Sequence, residues 1–203
     1  MRKKHNWPLE RIGLILALIW LSPFYIMIVN SFKTKREMFT DVLSLPEALN
    51  FDNYVEAFEQ LDFLTTLFNS VLITVVSVGL IIIFSSMAAY ALSRNKSKMS
   101  TVFFFIFVAA MLIPFQSVMV PLITVFGKFE MLNRAGLIFM YIGFGCSLSI
   151  FLYHGTLKSI SQSLDEAATI DGANKWQIFW HIIFPMLKPI SITVGILNTI
   201  WIW

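Results

Sequence analysis

Of 203 residues, 57% are hydrophobic and only 13% carry a charge, with a formal net charge of +3. Soluble domains have about a quarter of their residues charged, so this composition excludes a water-soluble globule and indicates a membrane protein. The single cysteine, Cys146, rules out an intrachain disulfide framework and a thiolate metal cluster, and His5, His154 and His181 lack metal-ligand spacing, so no metal site is expected.

The first apolar run, Ile12 to Val29, follows Arg2, Lys3, Lys4 and Arg11 and precedes Lys33, Lys35 and Arg36. It is long enough to span a bilayer and no small-x-small cleavage site follows it, which predicts a retained signal anchor. Pro23 inside it is expected to kink the helix without ending it. Residues 33–66 are polar, with seven acidic residues against three basic ones. Lysine and arginine gather on the cytoplasmic side, so this loop is predicted outside and the amino terminus inside.

Phe68 to Leu92 is the second predicted span. Its small residues Ser85, Ala89 and Ser93 recur every fourth position, a stripe that lets another helix approach closely. The next loop carries Arg94, Lys96 and Lys98 and no acid, which puts it in the cytoplasm. A third span is predicted over 102–120, with Pro114 inside and Pro121 at its end. Residues 127–134 then form a short external connection, and a fourth span over 135–153 returns inward. Parity makes 154–189 a cytoplasmic loop, although Asp165, Glu166 and Asp171 against Lys158 and Lys175 leave its charge uninformative. The last run, 190–203, holds fourteen residues, whereas about 20 are needed to cross a bilayer. The expectation is therefore an all-α, polytopic transmembrane bundle in one domain, multi-pass in the cytoplasmic membrane and truncated in its fifth span.

The loop SLDEAATIDGANKWQIFWHIIFPMLKP, 163–189, interrupts the apolar runs with acids, small residues and two prolines. Ser163 with Glu166 three residues later predicts a capping box that opens a two-turn helix over 164–171. Gly172 is suited to the left-handed conformation that closes such a helix. Asn174 and Gln177 repeat the capping spacing, and a second helix is predicted through Trp176, Phe179, Trp180 and Ile183, with Pro185 and Pro189 bending its path into the membrane. Ala167, Ala168 and Ala173 provide a surface for close backbone contact. With Asp165, Glu166 and Asp171 around it, that surface suits a groove of positive charge on a partner. An interfacial amphipathic hairpin with Glu166 as a cap accounts for the same residues.

The spacing Glu166-Ala167-Ala168, three residues, Gly172, nine residues, Ile182, one residue, Phe184-Pro185 closely resembles the EAA motif of the membrane subunits of ABC importers. Phe184 stands where the family usually has leucine, and Ile160-Ser161 where it often has Ile-Pro. SFKTKREMF at 31–39, NYVEAF at 53–58, AAYALSR at 88–94 and IPFQSVMVPL at 113–122 extend the resemblance to the carbohydrate branch, and specifically to its maltose-type six-span partner. The resemblance implies a type I ABC importer permease whose 163–185 segment is the coupling helix region. Asp165, Glu166, Ala167, Ala168, Asp171, Gly172 and Ala173 are then the contacts to a dimer of ATP-binding cassette ATPases. It also implies a second homologous membrane subunit, an extracellular or periplasmic solute-binding protein, a lipid environment and no nucleic acid.

No G-x-x-x-x-G-K-[ST] pattern occurs, so no P-loop is expected in this chain; the resemblance puts ATP and Mg on the partner ATPase. The implied activity is transport of sugars or oligosaccharides by alternating access, without catalysis by this chain. The alternatives are an anchor or assembly protein that grips a soluble partner, and a permease for another solute such as a glycerol phosphate. An intramembrane enzyme is disfavoured because ionisable residues are nearly absent from the spans, His154 and Lys188 lying at their edges. Tyr141, Ser147, Ser149, Tyr153, Asn198 and Thr199 are candidates to line a sugar path, and helix packing explains them equally.

Overall fold

The structure, a computed structural model, describes residues 7–203, so the basic cluster Arg2 to Lys4 and His5 lie outside the described residues. The described residues divide into two compact units, the first ending at Leu67 and the second running from Phe68 to Trp203. In the first, α1 (Trp7–Ser31) continues past Pro23, which does not end it. Its side chains are exposed apart from a few near its end, Trp20 to 79%, which suits a helix whose solvent is hydrocarbon rather than water. The polar stretch after it is more ordered than a plain loop. Thr34 and Glu37 form a reciprocal capping box, with the Thr34 amide donating to Glu37 Oε2 at 2.8 Å, and this starts α2 (Lys35–Thr40). Backbone and side-chain hydrogen bonds from Thr34 hold the Glu37 carboxyl below its ordinary range. Lys33 is fully buried, and its Nζ donates to the Asp41 carbonyl at 2.7 Å. Asn53, in α3 (Asp52–Gln60), donates to the carbonyls of Ser31 and Lys33, tying the loop back to the end of α1.

The second unit begins within α4 (Phe63–Arg94), a helix of 32 residues. Its buried face is Thr74, Ser77, Ile81, Ser85 and Ala89, three or four residues apart, with Ser86 beside Ser85, so Ser85 and Ala89 of the small-residue stripe lie on a packing face. Next come α5 (Lys98–Met111), α6 (Phe115–Lys128) and α7 (Arg134–Leu157). The third span is not the single helix expected over 102–120. The axis turns by 99° between α5 and α6. Pro114 has no amide hydrogen, its ring excludes the carbonyl four residues back, and it drives Ile113 out of helical geometry. Each half has 14 residues, about 21 Å at 1.5 Å per residue, short of the roughly 30 Å hydrocarbon core.

Helix α5 packs along α7, with Phe104 stacked on His154 at 4.0 Å between ring centroids. Beyond α7 lie α8 (Ser163–Ile170), α9 (Lys175–Ile178), a wider five-residue π turn over Phe179–Ile183, the short α10 (Phe184–Met186) and α11 (Lys188–Ile202). The segment Lys175–Met186 meets α11 at 74°, the bend expected from Pro185 and Pro189. Helix α11 returns along α7. Among the described residues, α1, α4 and α7 are long and apolar enough to cross a membrane, and the two bent pairs raise the number to at most five. No strand occurs among them.

Gly145 sets the distance between these helices. A Cβ there would lie 2.5 Å from Asn198 Oδ1 on α11 and 2.5 Å from Ile81 Cδ1 on α4. Only a hydrogen fits at the crossing. Asn198 is buried and donates to Ser149 Oγ at 3.1 Å, a hydrogen bond between α11 and α7, and to the Val194 carbonyl at 2.9 Å.

Candidate functional site

The loop from 158 to 187 folds as a compact elbow. Ser163 does not form the expected capping box with Glu166. The helix starts around Ser161, whose Oγ accepts from the Ser163 amide at 3.2 Å, and the Glu166 amide donates to the Gln162 carbonyl at 3.2 Å. Ser163 already lies inside the helix, where its hydroxyl bonds that of Ser161 at 2.7 Å. The Glu166 carboxylate is therefore free of a capping duty. Its side chain is exposed.

Gly172 has φ +85°, the left-handed conformation expected of it, and no atom lies within 4 Å of where its Cβ would be. Conformation rather than space calls for glycine there. Asn174 and Gln177 form the expected second capping box, at 3.0 and 2.8 Å, and launch α9. The π turn that follows is closed by the Phe184 amide donating to the Phe179 carbonyl five residues back. It ends where Pro185, which lacks an amide hydrogen, would leave a normal α-helical ladder one bond short.

The predicted contact residues divide between two faces. Glu166, Ala167, Asp171 and Gly172 are exposed, and Ala173 is half-buried. Ile170 on the same outer face is 87% exposed and Trp176 at the start of α9 is 61% exposed. The sequence gives no contact role to either of these apolar residues, although an isoleucine three residues after Ala167 shares its helix face. Ala168 is buried in the chain's own core. Asp165 also points inward. Its Oδ2 lies 2.8 Å from Arg94 Nη2, and Tyr90 donates to its Oδ1 at 2.5 Å.

The residues expected along a sugar path gather at the contact of α7 with α11. Ser149 and Asn198 bond one another, and Tyr153 Oη donates to Ser191 Oγ at 2.8 Å. Tyr141 meets Trp201 edge to face at 5.6 Å. Ser147 is buried, and Thr199 is exposed beside an open groove of about 490 Å³ lined by Ile82, Lys188, Ser191 and Ile196.

Residues 81–203 match the family described as "Binding-protein-dependent transport system inner membrane component". The chain is 55% identical over its whole length to a probable starch degradation products transport system permease protein, AmyC, of Thermoanaerobacterium thermosulfurigenes, covering 75% of that protein. It is 36% identical to the multiple sugar-binding transport system permease protein MsmG of Streptococcus mutans, over 98% of this chain and 71% of the relative. It is 37% identical to the melibiose/raffinose/stachyose import permease protein MelC of Bacillus subtilis, over 93% and 69%. With its multiple apolar helices and its elbow between α7 and α11, the chain belongs to the inner-membrane components of binding-protein-dependent transport systems.

Proposed function

We propose that this chain is a membrane subunit of an ATP-driven importer of sugars or oligosaccharides, and that the elbow over 163–185 receives the movement of a partner ATPase. The observation that carries the coupling role is the outer face of α8. It combines an exposed carboxylate, Glu166, with small and apolar surface at Ala167 and Ile170 on a helix stopped by a left-handed glycine. An uncapped, exposed carboxylate beside bare apolar surface suits a groove with positive charge at its rim, where charge sets the register and apolar contact holds it. ATP and Mg are held by the partner, since this chain has no P-loop sequence. Closure of two ATPases moves the elbow and rocks this chain against a second membrane subunit, which exchanges outward and inward openings. The amino terminus and the Arg94–Lys98 loop face the cytoplasm in this reading.

The sugar assignment rests on the names of the relatives, which specify starch degradation products, multiple sugars and melibiose, raffinose and stachyose. Of the polar residues expected along the solute path, Thr199 has the open groove beside it, and Ser149, Tyr153 and Asn198 spend hydrogen bonds on holding α7 to α11. The test is uptake into proteoliposomes that hold the complete transporter, with ATP inside and the solute-binding protein outside. Starch-derived oligosaccharides should accumulate only with ATP. Uptake of a glycerol phosphate in their place would reassign the solute, and ATP-independent behaviour with no uptake of any solute would favour an anchoring role.

A further inference from the structure

The last turn of α4 touches the coupling elbow at three separate places. Tyr90 and Arg94, four residues apart, lie on one face of the helix. Arg94 Nη1 donates to the Ile160 carbonyl at 3.2 Å, ahead of α8. Its Nη2 reaches Asp165 Oδ2 on α8 at 2.8 Å, as an ion pair outside hydrogen-bond alignment. Tyr90 donates to Asp165 Oδ1, and its ring lies 5.5 Å from that of Phe179 in the π turn after α9. The guanidinium also sits 5.8 Å from the centroid of the Tyr90 ring. Both charged side chains are largely buried, 17% and 14% exposed.

A cavity of about 630 Å³ opens beside the pair, lined by Asn95, Gln162, Thr169, Lys175 and Trp176. Ala89 of α4 and Ala168 of α8 belong to one buried apolar cluster with Ile160 and Phe179, and the ion pair and the Tyr90 hydroxyl add the directional contacts between the two helices. A largely buried ion pair differs from a surface pair because separating it leaves two charges without compensation. It therefore resists separation while the two helices move together.

We infer that Arg94, Asp165 and Tyr90 form a strut that makes α8 and the cytoplasmic end of α4 move as one body, delivering displacement of the elbow into α4. Asp165 is then an internal positioning residue rather than a contact to the ATPase. The inference rests on the coupling role proposed above.

The test measures solute uptake and ATP hydrolysis separately in the complete reconstituted transporter. Arg94→Asp and Asp165→Arg should each lower transport per ATP at least tenfold, and the double exchange should restore it to within about threefold of the parent. Tyr90→Phe, which deletes one hydroxyl, should lower the ratio threefold or more with the complex intact. Recovery of the assembled complex is scored alongside. Single reversals that reduce recovery and an exchange that restores it support the same pairing. An exchange no better than its worse parent in both recovery and coupling overturns the strut, as does loss of the ATPase subunit on Asp165→Arg but not on Arg94→Asp. Glu166→Lys separates the two layers of the argument. If it uncouples and the strut variants do not, the strut alone is wrong; if it stays fully coupled, the coupling role falls and the strut with it.

Discussion

Replacing Gly145 by alanine should drive a wedge between α4, α7 and α11. The added methyl would sit 2.5 Å from Asn198 Oδ1 and 2.5 Å from Ile81 Cδ1. The Ile81 methyl is the end of a flexible side chain, but Asn198 is held by hydrogen bonds to Ser149 and Val194. Overpacking a tight site costs about 1–3 kcal/mol, and two such contacts place this one at about 2–3 kcal/mol. Alanine also recovers about 0.5–1 kcal/mol of helix propensity. Gly143, on the same helix, has nothing within 4 Å of its Cβ position and serves as the reference. In the difference between Gly145→Ala and Gly143→Ala the propensity contribution cancels, leaving about 2–3 kcal/mol. Thermal unfolding of the two purified variants in detergent should therefore differ by about 4–12 °C for a chain of this size. Ile81→Val removes the offending Cδ1 and should recover part of the loss in the double variant. Equal midpoints for the two alanine variants would refute the close-crossing account.

Gly172→Val should cost about 1–2 kcal/mol, because a β-branched residue is forced to positive φ, and should lower transport per ATP, whereas Gly172→Asn should be milder; both are read as paired uptake and hydrolysis rates. Glu37 should titrate below the ordinary carboxylate range because Thr34 hydrogen-bonds its charged form. The stabilisation of its capping box is thus present above that range and lost as pH falls through the lowered value, which a carboxyl ¹³C titration of Glu37 follows, with Thr34→Ala moving it only part of the way back up because the backbone amide of residue 34 still donates. In a Cys146-free background, a cysteine at Asp52 should react with an impermeant thiol reagent from outside and one at Lys96 only after the membrane is opened, the reverse pattern inverting the topology.

Local patterns carried much of the elbow. The Asn174–Gln177 box and the left-handed Gly172 depend on neighbours within a few residues and appear as expected. The Ser163–Glu166 box fails although its letters fit, because Ser161 caps the same turn earlier in the chain and leaves Ser163 inside the helix. Thr34–Glu37 carries the same pattern and does form the box, so the signal for α2 was present in a stretch read for its charge and its family resemblance but not for its caps. The prolines diverge for a similar reason. Pro23 is absorbed in a continuous helix, while Pro114 with Ile113 and Leu112 breaks one by 99°. Nothing within a few residues distinguishes the two cases. The inward turn of Asp165 was not legible at all, since its partners, Arg94 and Tyr90, precede it by more than 70 residues and reach it only through the packing of the bundle. The same holds for the partner of Asn198, a residue read equally as solute-lining or as packing, since Ser149 lies 49 positions away in the chain.

The central claim is that the outer face of α8 receives an ATPase, and a photo-reactive residue tests it most directly. Placed at Ile170, which is 87% exposed, in the complete transporter in native membranes, it should cross-link on illumination to an ATP-binding subunit, and the same residue at Ala168, buried in the chain's own core, should not. Cross-linking at Ile170 to lipid or to this chain alone, with sugar uptake intact, would contradict the claim.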